Sequence, residues 1–399
     1  MERVIFWNNK GGTGKTTLAF QLLNEYAFQN KDKRILVIDV CPQANLSELL
    51  LGGLNQGGSE VLLMRQGANP RATIGGYFQL RLPAPYSAPS FNPKDYLTKP
   101  HQYNSYIEDN IDLLCGDAML ELQSNAISTL ANNQIPGTNT WVAIINWLND
   151  FVQPIEKDYD IVFLDANPSF SMYTQIAIAT STKVVLPVMA DDSSRRAIQN
   201  AFSLIYGLKL PSEIYSKYAF AEKLKEVNMP LPKVYMILKN RLTQYMGAAS
   251  AYATVLREID KDVLSLLETY PNIFAFDTLS EGIIDVRDFQ TTGVVSAARG
   301  CPLQKLKSGR LDLMGKRVTV REEYRQNCID NVELIVRRIK SCSYIKGGNA
   351  MRKTRSDCTV GTFEKKHGLP PGTIRNKDGR DTRSDKKIGT IRKEAQNGK

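Results

Sequence analysis

The sequence predicts an α/β fold: a mostly parallel sheet with helices on both faces, plus a small basic C-terminal appendage. The sheet is predicted by short apolar runs of strand length that alternate with longer amphipathic stretches. A chain of 399 residues is also long enough to bury a sizeable core. The appendage is predicted by charge. Residues 1–304 carry 26 Lys and Arg against 30 Asp and Glu, whereas residues 305–399 carry 25 against 11.

Arg3–Trp7 is an apolar run of strand length, and Thr16–Gln29 carries Leu18, Leu22, Leu23, Tyr26 and Ala27 at helical spacing. Between them lies the most informative stretch of the chain, WNNKGGTGKTT, from Trp7 to Thr17. A glycine loop at a strand-to-helix junction points backbone N–H groups at one spot. With no Cβ in the way, phosphate oxygens approach closely. Lys15 supplies charge for the β and γ phosphates, and Thr16 a hydroxyl for Mg²⁺. The ordinary phosphate-binding loop, GxxxxGK(S/T), would place a glycine at position 9, which is Asn9 here. A second lysine, Lys10, opens the loop instead.

Two further apolar runs, Arg34–Asp39 and Asp160–Asp165, end in carboxylates. Lys183–Val188 and Lys233–Leu238 read as more buried strands, with Asn240 just beyond the second. Thr319 then opens a helix with a capping-box spacing to Glu322 and a stripe at Tyr324, Cys328, Val332, Ile335 and Ile339, most simply a core face.

The loop Lys10–Thr16, KGGTGKT, resembles the deviant Walker A motif of the ParA/MinD family of P-loop ATPases. Val40–Ser47 resembles that family's second motif, usually written IDxDPQxNLS, with Cys41 in place of its second aspartate. Asp165 with Ala166–Ser169 resembles its Walker B. Residues 1–341 share the likeness, which is nearest to the ParA partition ATPases. It is sharpest in the first motif and loosest after residue 183.

The resemblance implies ATP and Mg²⁺ as cofactors, bound over Lys10, Gly11, Gly12, Thr13, Gly14, Lys15, Thr16 and Thr17. Thr16, Asp39 and Asp165 are the expected metal-side residues, and Lys10, Lys15 and Asp39 the catalytic ones. Lys10 is expected to reach the nucleotide of a second subunit in an ATP-dependent homodimer. Asn240 stands where the family often has an adenine-facing asparagine; a loop asparagine that only turns the chain is the alternative.

Domain organisation follows from composition. Residues 1–342 read as the ATPase domain, with an insertion at 55–110. Six prolines fall between Gly52 and Asp112, near Tyr77, Phe78, Tyr86, Phe91 and Tyr103. A packed insertion and a partner-binding surface both fit this composition. Residues 343–353, with Gly347 and Gly348, read as a linker. Beyond it, Thr354–Phe363 recurs as Thr382–Ile391, so 354–399 is a small basic module or an arm that folds on its target. His367–Thr373 offers a helix-turn-helix turn as one reading.

The basic C-terminal quarter is the electrostatic footprint expected for a DNA backbone, with anionic membrane and plain solvated charge as competitors. A membrane-lying helix does not fit a tail broken by Pro370, Pro371 and several glycines. No apolar run approaches the roughly 20 residues of a membrane span, and Met1 leads directly into the first strand, so no signal peptide is expected. The six cysteines lack CxxC spacing and read as reduced thiols in a cytoplasmic protein, nucleoid-associated if DNA is bound.

The expectation is therefore a slow ATPase, stimulated by a partner protein, that binds DNA largely without sequence preference in plasmid or chromosome partition. A nucleotide-gated regulator of a mobile element or defence system is the second reading. A membrane-positioning ATPase is the third.

Overall fold

The computed structural model describes residues 1–242, 251–313 and 315–343, together with Thr359, Val360, Thr362, Asp385 and Lys386. The chain divides into two compact units, Met1–Ile339 and Lys340–Lys399. Within the second, the Val360 amide donates to the Lys386 carbonyl at 2.9 Å. The predicted linker and nearly all of the predicted module at 354–399, including His367–Thr373, lie outside the described residues.

Eight strands form one sheet in the first unit: β1 Glu2–Phe6, β2 Ile35–Val40, β3 Leu97–Thr98, β4 Ile111–Leu114, β5 Ile161–Ala166, β6 Lys183–Val188, β7 Lys233–Leu242 and β8 Ile283–Arg287. Their order is β3-β4-β2-β5-β1-β6-β7-β8. Every neighbouring pair is parallel except the edge pair β3 and β4. Strands β2, β5 and β6 are buried along their whole length, as unbroken apolar runs covered on both faces must be.

Because β5 lies between β1 and β2, register brings the ends of three strands together. Asp165 pairs with Phe6 on one side and with Asp39 on the other. The glycine loop leaves β1 at this same end, into the helix Lys15–Gln29. Ligand sites of parallel sheets form in such a crevice, beyond the carboxyl ends of the strands.

The region 55–110 is folded onto the sheet. Tyr77 and Phe91 stack with centroids 5.0 Å apart, and Tyr77 meets Phe151 at 4.9 Å. Phe78 meets Trp147 edge-on at 5.4 Å. A fully buried Phe contributes roughly 1.5–3 kcal/mol relative to exposure, so this aromatic cluster holds the region to the core. Inside it, Tyr77 donates to the Trp147 carbonyl at 2.6 Å and Arg81 to Asp150 at 2.6 Å.

Two sequence expectations need correction. Thr319 does not begin a helix. It lies in β10 (Lys316–Val320), which pairs antiparallel with β9 (Gly309–Leu313), and the helix runs Glu322–Ser343. The alternation Leu311, Leu313, Val318, Val320 favours a hairpin, and that period overrides the local capping pattern. Asn240 is not in a turn either, because β7 continues to Leu242 with a register irregularity between Lys239 and Leu242.

Candidate nucleotide site

Gly14 precedes the first helix with φ 86°, a left-handed conformation that an L side chain enters only with strain. Asn240 is the second reason for glycine there. Its Nδ2 donates to the Thr13 carbonyl at 2.9 Å and occupies the space that a Cβ on Gly14 would need. Asn240, expected to face the base, holds the loop and also lines the recess beside it. Above Gly11 and Gly12 the space is open.

Lys15 is 7% exposed and donates to the Lys10 carbonyl at 3.0 Å. Burial lowers its pKa, while the negative charge of Asp165 opposes the shift. An ammonium held with so little water is poised for polyphosphate.

Lys10 points elsewhere. Its Nζ lies 2.6 Å from both carboxylate oxygens of Asp191 and 3.1 Å from Ser194 Oγ. Asp191 also caps the helix Asp192–Tyr206, accepting from the Ser194 amide at 2.6 Å. Burial works to raise the Asp191 carboxyl, but bonds from Lys10, Ser193 and Ser194 outweigh it and hold the group at about 2. The Lys10 amide is fixed by Asn8 Oδ1 at 3.0 Å, and Asn8 is anchored to the Pro187 carbonyl at 2.8 Å.

Thr16 Oγ1 donates to Asp165 Oδ2 at 2.7 Å, and Asp165 Oδ1 is buried without a hydrogen-bond partner. Asp39 is fully buried. One of its oxygens accepts from the Cys41 amide at 3.1 Å, and the other from the Ser47 amide at 2.9 Å and Ser47 Oγ at 2.7 Å. Ser47 Oγ in turn accepts from the Gly116 amide at 2.9 Å. Burial raises the pKa of both carboxyls, and for Asp165 the negative charge of Asp39 adds to it. Two desolvated carboxylates side by side, one with an orphaned oxygen, fit a divalent cation completed by phosphate oxygens and water. No group of three or more His, Cys, Asp or Glu that could hold a metal ion occurs among the described residues.

Cys41 is buried beside these acids, and its thiol is pushed up to about 12, mainly by burial. It therefore adds no negative charge where the family motif has an aspartate. Cys115, Cys301 and Cys328 are also free and buried.

Two recesses meet at the loop. One, of about 270 Å³, is lined by Gly11, Gly12, Lys15, Thr16, Cys41 and Pro168, among others. Its neighbour, of about 350 Å³, shares Gly14, Thr17 and Arg241 with it and continues along Asp288, Phe289 and Val294. A triphosphate and a nucleoside call for such an adjoining pair, polar over the glycines and more apolar beyond. Sequence reasoning missed Asp191, and it placed Ser47 in the second motif without giving it a role. The cap spacing from Asp191 to Ser194, directly after a buried strand, was the available signal for the first.

Residues 1–214 match the family model described as an AAA domain. The chain is 26% identical over 182 residues to the putative replication protein A of Rhizobium rhizogenes, covering 45% of this chain and 38% of that one. It is 24% identical over 216 residues to the virulence plasmid ParA family protein pGP5-D of Chlamydia muridarum, covering 53% and 65%. The chain thus spans under two thirds of either relative. Among solved structures, apo McdA of Cyanothece matches at a TM-score of 0.53 and 14% identity, covering 85% of this chain and 99% of that one. At that identity the likeness is one of fold.

Proposed function

Because this chain belongs to the ParA/MinD family of P-loop ATPases, we propose that it binds and hydrolyses ATP with Mg²⁺, dimerises around ATP and binds DNA, in the partition of a plasmid or chromosome. The observation that carries the reading is the two-lysine glycine loop over two buried carboxylates, with Lys15 inside the site and Lys10 at its mouth. Residues 1–214, matched to the family, contain the whole of this arrangement except Asn240. A ParA family relative encoded by a virulence plasmid supports partition as the process.

In this reading the amides of Gly11–Lys15 and the Lys15 ammonium bind the β and γ phosphates and stabilise the charge that grows there during transfer. Thr16 and Asp165 hold the cation, which when bound neutralises phosphate charge. Asp39, fixed by Ser47 and the Cys41 amide, orients the attacking water. Lys10 leaves Asp191 to serve the partner subunit. A second protein stimulates turnover. No described helix is long and apolar enough to cross a membrane.

Sedimentation with ADP and with a non-hydrolysable ATP analogue tests the dimer. Binding to random-sequence DNA and to anionic vesicles, side by side in both nucleotide states, tests the target. Analogue-dependent dimers that bind DNA support the reading. Vesicle binding without DNA binding would replace partition with membrane positioning.

A further inference from the structure

Residues 305–321 carry Lys305, Lys307, Arg310, Lys316, Arg317 and Arg321 against a single acid, Asp312. Lys305 is paired with Glu108 at 2.7 Å, whereas the other five make no ion pair among the described residues. Most of them are displayed by a regular element. In the ribbon β9–β10, Arg310 lies opposite Thr319 and Arg317 opposite Asp312. The two-residue period places Leu311, Leu313, Val318 and Val320 on the other face, where they are half-buried or buried, with the exposed Lys316 at the turn end of that same face.

The ribbon therefore has a largely apolar side turned to the protein and a side carrying Arg310, Arg317, Asp312 and Thr319 turned to solvent. It is fastened by Arg299 Nη2, which donates to the Asp312 carbonyl at 3.0 Å. At its foot lies a recess of about 400 Å³ lined by Gln290, Thr291, Thr292, Thr319, Arg321 and Tyr324, every one polar.

We propose that the solvent face of the β9–β10 ribbon, with Lys307 and Arg321 at its foot, is a contact surface for the phosphate backbone of duplex DNA. The proposal rests on the DNA-binding reading above and assigns that activity to residues outside the C-terminal appendage. Charge complementarity selects the partner. Five basic groups that make no ion pair among the described residues, three in the ribbon and two at its foot, match a polyanion. A two-stranded ribbon also fits the width of a major groove, about 12 Å. Guanidinium groups and the hydroxyls of the foot recess are donors suited to phosphate oxygens, which carry no sequence information, so binding is largely indifferent to sequence.

The test compares the full-length protein with the double variant Arg310→Gln/Arg317→Gln on a random-sequence 30-base-pair duplex, with a non-hydrolysable ATP analogue, across a salt series. Both side chains are exposed, and ATP turnover without DNA together with thermal unfolding checks that the fold is intact. Loss of two phosphate contacts makes the slope of log affinity against log salt shallower by about 1.8 and weakens binding on the order of tenfold at 0.1 M salt. Asp312→Asn is the opposite perturbation, retaining an acceptor for the turn while removing the one acid, and it is expected to strengthen binding. A wild-type protein that binds no duplex in any nucleotide state would overturn the DNA-binding reading and this proposal with it. A wild-type protein that binds, with both variants unchanged in affinity and slope, would overturn the ribbon assignment alone.

Discussion

Gly14→Ala is expected to couple energetically to Asn240, a residue 226 positions away in the chain, because both compete for one small volume beneath the loop. An alanine at φ 86° costs about 1–2 kcal/mol in backbone strain. Its Cβ also displaces Asn240 Nδ2 from the Thr13 carbonyl, a further loss of about 1 kcal/mol. The sum is about 2–3 kcal/mol. With unfolding entropy near 2.1 cal/mol/K per residue over the 339 residues of the first unit, that lowers Tm by about 3–4 °C. Asn240→Gly alone loses the bond to Thr13, and in its background the alanine meets no clash. The double variant should then be about 1 kcal/mol more stable than additivity of the singles requires. Thermal unfolding of wild type, both singles and the double without nucleotide measures the cycle, and ATP titration of the same proteins reports whether the loop still cradles phosphate. Strict additivity within error would refute the argument that Asn240 holds the loop.

Lys15→Ala should weaken ATP binding by about 10- to 100-fold, as expected for losing hydrogen bonds to a charged partner, whereas Lys10→Ala should change it little. Sedimentation with an ATP analogue should nevertheless show no dimer for Lys10→Ala, and a normal dimer would end the sandwich assignment. Asp39→Ala should bind ATP near-normally and turn over slowly, leaving a long-lived bound state; wild-type turnover in that variant would remove its role with water. Without metal or nucleotide, the raised Asp165 carboxyl makes the folded protein hold a proton that the unfolded chain releases above about pH 4. Stability therefore falls as pH rises from there through the folded-state value. Asp165→Asn should flatten that decline and raise Tm at pH 8, and an unaltered pH profile would show that the carboxyl carries no such burden.

What could be read from the sequence was what is local. The glycine loop, its two lysines and Thr16 lie within eleven residues, and their order alone dictates a strand, an anion cradle and a helix. Asp39 and Asp165 were legible as acids at the ends of apolar runs. That they are neighbours depends on β5 entering between β1 and β2, which no local pattern encodes. Distance hid the rest: Asp191 lies 181 positions from Lys10 and Asn240 lies 227 from Thr13. The aromatics of residues 55–110 were visible, but their partners Trp147 and Phe151 come from a later segment. At Thr319 two local signals competed, and strand alternation prevailed over a capping pattern because the hairpin buries Val320.

The pairing of Lys10 with Asp191 makes the mouth of the site electrically quieter than its two lysines suggest. One positive charge is already cancelled within the subunit, so long-range attraction of an incoming triphosphate falls to Lys15 and the loop amides. A neighbour's phosphate can engage Lys10 only by taking the place of Asp191. That is a substitution of one anion for another around the same ammonium, with the ion-pair count unchanged. In the proposed dimer, the step made by Lys10 should therefore respond weakly to ionic strength.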